Sequence, residues 1–226
     1  DRDHIHRLFD DLEFRVLRDR LFDTLASADP EVDEGFDVRG GALAPGAVGA
    51  WLDEHLATGE RAGIAVVGTH LAFDGDATAL AVAAADGEGC YIDTAVLTPE
   101  DEAALAQWLA DESKPKAVHE AKLAMHDLAG RGWALTGVTS DTALAAYLVR
   151  PGQRSFALDD LSLRYLRREL RADTPEQQQL SLLDDEEGVD DQAVQTLILR
   201  ARAVVDLAEA LDTELERIDS AALLAD

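Results

Sequence analysis

The stretch that decides the fold runs from residue 63 to residue 93 and reads GIAVVGTHLAFDGDATALAVAAADGEGCYID. It holds three short apolar segments, at 63–68, 77–85 and 89–93, separated by residues that favour turns. Because apolar runs of this length are typical of buried strands, we predict three strands. Residues 98–101, which read TPED, predict a helix start, since they combine a threonine cap, a first-turn proline and acids near the positive end of the helix dipole.

Strands and helices alternate along the rest of the chain. Helices are predicted at 45–57, 98–110, 121–129, 141–148, 158–171 and 193–223, and further strands at 117–118 and 133–138. Because a cluster of strands is followed by this alternation, the pattern predicts an α/β fold. We expect a mixed sheet flanked by helices, with a long helix at the C-terminal end.

The N-terminal residues differ in composition from the rest of the chain. Residues 1–28 place apolar side chains at mostly helical spacing among charges and predict a helix. Residues 27–41 contain Pro30, three glycines and several acids, which is typical of a linker rather than of a helix or strand. The main domain is therefore expected to begin near Gly41. The polar, acidic segment 177–191 is predicted to be a mobile loop.

The composition excludes several classes of protein. The chain has 226 residues, of which 47% are hydrophobic, enough for a folded core. The 46 acidic residues outnumber the 20 Lys and Arg residues and give a net charge of −26, which disfavours non-specific binding of this chain alone to duplex DNA. No apolar run has the length of a transmembrane helix. Since the only methionine is Met125, residue 1 is not a translation start, and we expect a fragment or a processed product.

Motifs of the common enzyme classes do not occur in the sequence. It contains no GxxxxGK[ST] or GxGxxG phosphate loop, no GxSxG elbow and no His-Glu-x-x-His pair. Cys90 lies on a predicted strand with no histidine nearby in sequence, which favours a structural role over a nucleophilic one. His119 and His126 are seven residues apart and are predicted to be surface or partly buried residues rather than metal ligands. The acidic run 184–187 is interpreted as a solvated loop, because consecutive residues do not converge on one cation.

Three segments between residues 116 and 168 resemble a known family. They read KAVHEAKLAM at 116–125, LTGVTSDTALAAYLVRPG at 135–152 and SFALDDLSLRYL at 155–166. They resemble the proofreading region of bacterial DNA polymerase I, the family A polymerases whose middle domain is a ribonuclease H-like 3′–5′ exonuclease. The most specific matches are the Asp-Thr pair at 141–142 and the LDDL segment at 158–161.

The resemblance implies a division into three parts. Residues 1–41 would be a helical linker from a preceding 5′-nuclease module, 42–205 the exonuclease-like domain, and 206–226 a helix leading towards the polymerase module. The parent would be a DNA-directed DNA polymerase of DNA replication and repair, cytoplasmic and nucleoid-associated, monomeric, with Mg²⁺ in its other modules. The alanine, arginine and aspartate usage is similar to that of high-GC actinobacteria.

The resemblance also implies that the exonuclease motifs are inactivated. The family uses four carboxylates: an Asp-x-Glu pair on the first strand, a second aspartate on a helix, and a Tyr-x-x-x-Asp motif on the terminal helix. Here Val67 and Thr69 stand in place of the pair, Ala124 in place of the second aspartate, and Arg200 and Val204 in place of the last motif. Because Mg²⁺ takes oxygen ligands, the sequence predicts no catalytic, cofactor-binding or metal-binding residue in this fragment. The expected role is a vestigial domain that joins and positions the active modules.

Two other functions stay open from the sequence. An active exonuclease with displaced ligands would use acids such as Glu120, Asp74 or Asp206. An acidic protein-interaction module would recruit a basic partner through its acidic face and the segment 177–191. The other acids near the motifs are expected to be surface or capping residues: Asp127, Asp141 and Asp206.

One dense cluster of arginines stands out in this acidic chain. Its members are Arg150, Arg154, Arg164, Arg167, Arg168 and Arg171. If 158–171 is one helix, the last four share a face by their i, i+3, i+4, i+7 spacing. They either pair with the abundant acids and a neighbouring module or guide a DNA strand within the whole polymerase. For the isolated fragment we expect weak DNA binding or none.

Overall fold

The computed structural model describes residues 36, 39–69, 75–170, 190–220 and 223. All of them belong to the unit Glu34–Asp226, one of the two units into which the chain divides. The predictions for residues 1–28 and for most of the segment 177–191 lie outside the described residues. The boundaries proposed between modules stay predictions.

The described residues form one mixed sheet with helices on both faces. The strands are β1 (Arg39–Ala42), β2 (Ala62–Gly68), β3 (Ala77–Ala83), β4 (Glu88–Asp93), β5 (Lys116–Val118) and β6 (Val138–Asp141). The helices are α1 (Val48–His55), α2 (Pro99–Leu109), α3 (Ala121–Gly130), α4 (Thr142–Val149), α5 (Leu158–Leu161) and α6 (Asp191–Arg217), with a π-helical turn at Ser162–Leu166. The strand order is β1-β4-β3-β2-β5-β6. The pairs β1–β4, β2–β5 and β5–β6 are parallel, whereas β2–β3 and β3–β4 are antiparallel, so the predicted α/β fold with a mixed sheet is confirmed.

The alternation of residue sizes along β3 fixes what packs on each face of the sheet. Leu80 and Val82 point into a core shared with helices α1, α2 and α3. The alanines between them, Ala79, Ala81 and Ala83, point to the other face and pack against α6. Because successive side chains of a strand alternate between faces, the small residues leave room for a close helix. The long C-terminal helix predicted at 193–223 is observed as α6 (Asp191–Arg217), and it covers this second face of the sheet.

The start of α2 is the most accurately predicted local feature. The Thr98 hydroxyl accepts a hydrogen bond from the Asp101 backbone N–H (3.1 Å), and the Asp101 carboxylate accepts one from the Thr98 backbone N–H (3.2 Å). Asp101 also accepts from the backbone N–H groups of Gly46 (2.6 Å) and Val48 (3.0 Å). Its side chain is 1% exposed. One buried carboxylate thus caps α2 and fixes the first turn of α1 against it.

The linker prediction for 27–41 is wrong at its last three residues. Strand β1 begins at Arg39 and pairs in parallel with β4. Gly40 has a φ of +122°, and a Cβ atom there would collide with the backbone oxygen of Gly89. The glycines at this point allow a close approach of two strands, whereas composition alone suggested flexibility.

The strand predicted at 133–138 is also wrong. Trp133 and Leu135 are buried in the core, at 4% and 7% exposure, but they belong to an irregular connection. Strand β6 begins only at Val138, after Gly137 turns the chain with a φ of +67°. A short apolar run indicates that its residues are buried, but it does not distinguish a strand from a buried connection.

The helix predicted over 158–171 is shorter than its pattern suggests. Four residues of α5 are followed by the π-helical turn, and Arg167 adopts a left-handed conformation with a φ of +56°. The predicted single face of four arginines is therefore wrong, because Arg167 and Arg168 follow the helical turns. Arg171 lies outside the described residues.

Two further sequence predictions concern the core and the membrane. Cys90 is fully buried in the main core, and burial raises the pKa of its thiol, as expected of a structural cysteine. Among the residues that the structure describes, no helix has the length and apolar character needed to cross a membrane.

Candidate functional site

The C-terminal end of β2 carries the first pair of motif positions. Val67 lies on the strand and is 43% exposed. The register between β2 and β3 shifts by one residue between Val67 and Gly68. Thr69 follows the strand, where its backbone N–H donates to the Asp76 carbonyl (3.0 Å) and its hydroxyl accepts from the Asp76 N–H (3.2 Å). The end of β2 is thus tied to the start of β3.

Helix α3 packs beside this end of β2 and carries the next motif position. Strand β5 runs parallel to β2 with Val118 opposite Ile64, so α3 begins level with the C-terminal half of β2. Ala124 is 8% exposed and belongs to the apolar core. One turn further, the fully buried Asp127 places its carboxylate against Gly68, where a Cβ atom would overlap it. Gly68 therefore makes the space that Asp127 occupies.

The remaining motif positions lie on α6, which covers the opposite face of the sheet. The helix crosses β2 at Gly63, whose α-carbon lies against Ala201 and Val205. Val204 is 1% exposed and packs in a second apolar cluster with residues of β5, α4 and α5. Arg200 is partly exposed, with its guanidinium Nη1 3.9 Å from the Asp159 Oδ1 atom. Ala124 and Val204 therefore pack on opposite faces of the same sheet.

A polar cluster joins the starts of α3 and α4 at this edge. The Asp141 carboxylate accepts hydrogen bonds from the backbone N–H groups of Glu120 (3.2 Å) and Ala121 (2.9 Å). It also caps α4 by accepting from the N–H groups of Ala143 (3.0 Å) and Leu144 (3.4 Å). Four backbone donors thus converge on one carboxylate, which confirms the predicted capping role of Asp141.

His119 and Glu120 complete this cluster. The His119 Nδ1 atom lies 2.8 Å from the Thr142 hydroxyl. Burial lowers the pKa of His119, while Glu120 and Asp141 oppose that change and Arg200 adds to it. Glu120 adopts a left-handed conformation with a φ of +58°, uncommon for a non-glycine residue. The lowered pKa favours the neutral imidazole, and its partner is a hydroxyl.

The motif positions offer few groups that bind a divalent cation. Among them, Thr69 contributes one hydroxyl, and Val67, Ala124 and Val204 contribute no polar side-chain atom. Mg²⁺ prefers carboxylates and other strongly polar oxygens, so this set of side chains does not fit a pair of catalytic cations. The guanidinium of Arg200 adds a positive charge on the same helix, one turn from Val204.

Two of the acids do not match their predicted places. Asp127 was expected at the surface or at a cap, but it is fully buried beneath β2 with its Oδ1 atom 3.9 Å from the His126 Nδ1 atom. Asp206 is largely buried and forms ion pairs with Arg202 (2.6 Å) and Arg168 (3.1 Å). The available sequence signal for Asp127 was its position one turn after Ala124 on the core side of a predicted helix. His119 and His126 are partly buried, as predicted.

Comparison with known families and relatives identifies a match over the whole chain. A family model described as the ribonuclease H-like domain of DNA polymerase I matches residues 75–175. The chain is 78% identical over 227 residues to DNA polymerase I of Mycobacterium tuberculosis (strain ATCC 25618 / H37Rv) and 75% identical over 229 residues to that of Mycobacterium leprae (strain TN). Each alignment covers 100% of this chain and 25% of the relative. The chain therefore spans a quarter of the length of these relatives.

Solved structures agree with the sequence match. The POL domain of Pol1 from M. smegmatis, in complex with DNA primer-template and dNTP, is 67% identical with a TM-score of 0.71, covering 82% of this chain and 29% of that chain. Brucella melitensis NrnC with bound Mg²⁺ has a TM-score of 0.61 at 16% identity, covering 84% of this chain and 87% of that one. The second likeness concerns the fold alone.

The sheet order, the helices on both faces and these fold similarities define a ribonuclease H-like fold. Residues 75–175 match the ribonuclease H-like domain of DNA polymerase I, and the whole chain is similar to a quarter of the length of mycobacterial DNA polymerase I. The resemblance found in the three sequence segments is thereby confirmed.

Proposed function

We propose that this chain is a non-catalytic 3′–5′ exonuclease-like domain of a DNA-directed DNA polymerase I that acts in DNA replication and repair. The observation that carries the proposal is that no motif position holds a carboxylate, and that Val204, which the resemblance matches to the family's last aspartate, is buried among apolar side chains on the opposite face of the sheet from Ala124. A metal ligand needs a side-chain oxygen and access for the cation. A valine that is 1% exposed provides neither.

The other motif positions support the same function. Val67 and Ala124 carry no oxygen, and the Thr69 hydroxyl already accepts a hydrogen bond from the Asp76 N–H. Enzymes lower their reaction barriers by about 8–23 kcal/mol. In metal-dependent nucleases much of that stabilisation comes from cations that bind the attacking and leaving oxygens. Without carboxylates at positions 67, 69, 124 and 204 to hold them, this edge of the sheet has no comparable source of stabilisation.

An active exonuclease with displaced ligands finds less support. Asp206, one candidate, is held by Arg168 and Arg202. Glu120 is exposed, and no group of three or more His, Cys, Asp or Glu side chains suited to a metal ion occurs within residues 39–69, 75–170 and 190–220. Asp74, the remaining candidate, lies outside the described residues.

The proposed role is structural: the domain joins a 5′-nuclease module to a polymerase module and positions them. Two comparisons support it, because the relatives are four times as long as the chain and the matched M. smegmatis Pol1 structure holds DNA primer-template. We further propose that the parent is a cytoplasmic, nucleoid-associated monomer that binds Mg²⁺ in its other modules. Its DNA contacts would arise through the whole polymerase, with no cofactor in this domain.

A nuclease assay tests the proposal directly. The purified chain and the longer protein are incubated with 5′-labelled single-stranded DNA in Mg²⁺ or Mn²⁺, and primer extension by the longer protein is followed in parallel. We expect primer extension and no shortening of the strand from its 3′ end. Metal-dependent shortening by the chain that a chelator abolishes, and that Glu120→Gln or Asp206→Asn removes, would overturn the non-catalytic assignment.

A further inference from the structure

Arginines of this acidic domain fall into two groups. One group pairs with carboxylates of the domain: Arg39, Arg61, Arg131, Arg168, Arg200, Arg202 and Arg217. The other group makes no salt bridge within the described part of the chain: Arg150, Arg154, Arg164 and Arg167. All four of these are exposed. In a chain with 46 acidic residues, a local excess of unpaired guanidinium groups is unusual.

The four unpaired arginines lie within residues 150–167, and their exposed side chains are called here the arginine surface. Arg150 ends α4 and opens the turn that leads to Arg154, where the Gln153 N–H donates to the Arg150 carbonyl (3.2 Å). Arg164 lies in the π-helical turn and Arg167 ends it. The Tyr165 hydroxyl is within electrostatic reach of both Arg150 and Arg164. Burial raises the pKa of Tyr165, and the positive charge of these two arginines opposes that change.

Exposed aromatic and apolar side chains lie on the same elements. Tyr147 is 52% exposed, and its ring centroid lies 5.8 Å from that of Phe156, two residues after Arg154. Leu144, one turn before Tyr147 on α4, is 57% exposed. Proteins that bind single-stranded nucleic acids commonly combine cationic side chains, which contact the phosphates, with exposed aromatic rings, on which the bases stack.

Three acids near the arginine surface are paired with other arginines. Glu214 is the carboxylate that faces Tyr165, and it is bound by Arg217 through two hydrogen bonds of 2.8 and 3.0 Å. Asp159 pairs with Arg200, and Asp206 pairs with Arg168 and Arg202. These three acids each pair with another arginine, whereas the exposed Asp160 and Glu169 of the same segment form no salt bridge within the described residues.

We propose that the arginine surface binds the phosphodiester backbone of the DNA held by the longer polymerase. The proposal rests on the proposed polymerase function and assigns to this domain a part in holding the DNA. Arginine suits this task because its planar donors match phosphate oxygens in pairs. The net charge of −26 makes the domain repel DNA everywhere else, so a local cationic surface would also fix where the strand passes.

The test measures the salt dependence of DNA binding by the longer protein. Affinities for a blunt duplex and for a primer-template with a single-stranded overhang are compared between the parent sequence and the Arg150→Gln/Arg164→Gln variant. A phosphate contact contributes about 0.9 to the slope of log K against log salt on duplex and about 0.7 on a single strand. Loss of two contacts therefore lowers the slope by about 1.8 on duplex or about 1.4 on a single strand. The substrate on which the slope falls identifies the strand that is bound.

A matched control separates contact from overall charge. The Arg39→Gln/Arg131→Gln variant removes the same charge from two arginines that are paired elsewhere in the domain, and its slope should stay unchanged. Arg154→Gln/Arg167→Gln provides a second pair of exposed positions if the first variant folds poorly, as judged by its melting temperature. A lowered slope in either test pair with an unchanged control supports the proposal.

Several results would overturn it. An unchanged slope in folded variants of both pairs assigns the arginines to packing against a neighbouring module. An equal fall in the control makes the effect one of net charge, and competition by poly-glutamate as effective as by DNA reassigns the surface to an acidic protein. If the parent protein does not bind primer-template at all, the proposed polymerase function fails as well. If it binds but the variants keep its slope, only the present inference fails.

Discussion

Replacing Val204 by aspartate places a carboxylate at the position that the resemblance matches to the family's last aspartate, and we expect it to destabilise the domain strongly. The valine is 1% exposed and packs among apolar residues of β5, α4 and α5. Removing its buried apolar surface costs about 1.5–3 kcal/mol. Burying a carboxyl group without hydrogen-bond partners costs about 1–3 kcal/mol more. A total of about 2.5–6 kcal/mol is a large part of the roughly 5–15 kcal/mol that stabilises a typical domain.

The assay is urea unfolding of the purified chain, followed by tryptophan fluorescence. With a slope of about 1–3 kcal/mol per molar urea, the midpoint of Val204→Asp should fall by about 2 M. Val67→Asp is the matched control, because it makes the same substitution at a motif position that is 43% exposed. Its free energy of unfolding should change by no more than about 0.5 kcal/mol. Equal midpoints for the two variants would show that position 204 accepts a carboxylate. The inference that burial keeps a metal ligand from this position would then be wrong.

The remaining predictions concern activity, helix caps, pH and metal ions. The triple variant Val67→Asp/Thr69→Glu/Ala124→Asp should have weak exonuclease activity at most on labelled single-stranded DNA, because position 204 still lacks a ligand and no surrounding hydrogen bonds orient the new ones; strong activity would contradict this. Asp141→Ala should lower the free energy of unfolding by about 1–3 kcal/mol, because four backbone N–H groups lose their acceptor; an unchanged urea midpoint would argue against the cap. Burial raises the pKa of Asp101, but hydrogen bonds to its carboxylate outweigh burial and lower the pKa overall. The ionised Asp101 therefore stabilises the fold above the unfolded-state pKa of about 3.9, and this stabilisation is lost as the pH falls through the folded-state pKa. The free energy of unfolding of Asp101→Asn, measured against pH, should lack this loss. Millimolar Mg²⁺ or Mn²⁺ should leave the urea midpoint unchanged, whereas a site occupied at 100 times its Kd would add about 2.7 kcal/mol.

Features set by local sequence were predictable, and features set by neighbouring elements were not. The Thr98 cap and the strand at 77–85 follow from residues adjacent in the chain. Strand β1 was missed because its glycines are explained only by contact with β4, which lies far along the sequence. The end of α5 was missed because a π-helical turn follows it at the buried Ser162, and side-chain spacing does not encode that choice.

The motif positions show the same division. Sequence matching predicted which carboxylates are replaced, since that comparison needs only residue types, and this assignment stays a prediction. It did not indicate that Asp127 is buried against Gly68. That contact is between α3 and β2 and is possible only because Gly68 has no Cβ atom. The capping role of Asp141 was predicted, but its two bonds to the start of α3 depend on the pairing of β5 with β6.

The acids that remain at this edge explain how the domain is stable without the ligands of an active nuclease. A two-metal site gathers several carboxylates whose mutual repulsion is relieved only by bound cations. Here Asp141 accepts four backbone N–H groups, and Asp206 is paired with Arg168 and Arg202. Backbone N–H groups and arginines within the chain stabilise the negative charge of these two acids, so no bound cation is needed to offset it. On the proposed assignment, the replacement of carboxylates at positions 67, 124 and 204 also removes an electrostatic cost of folding.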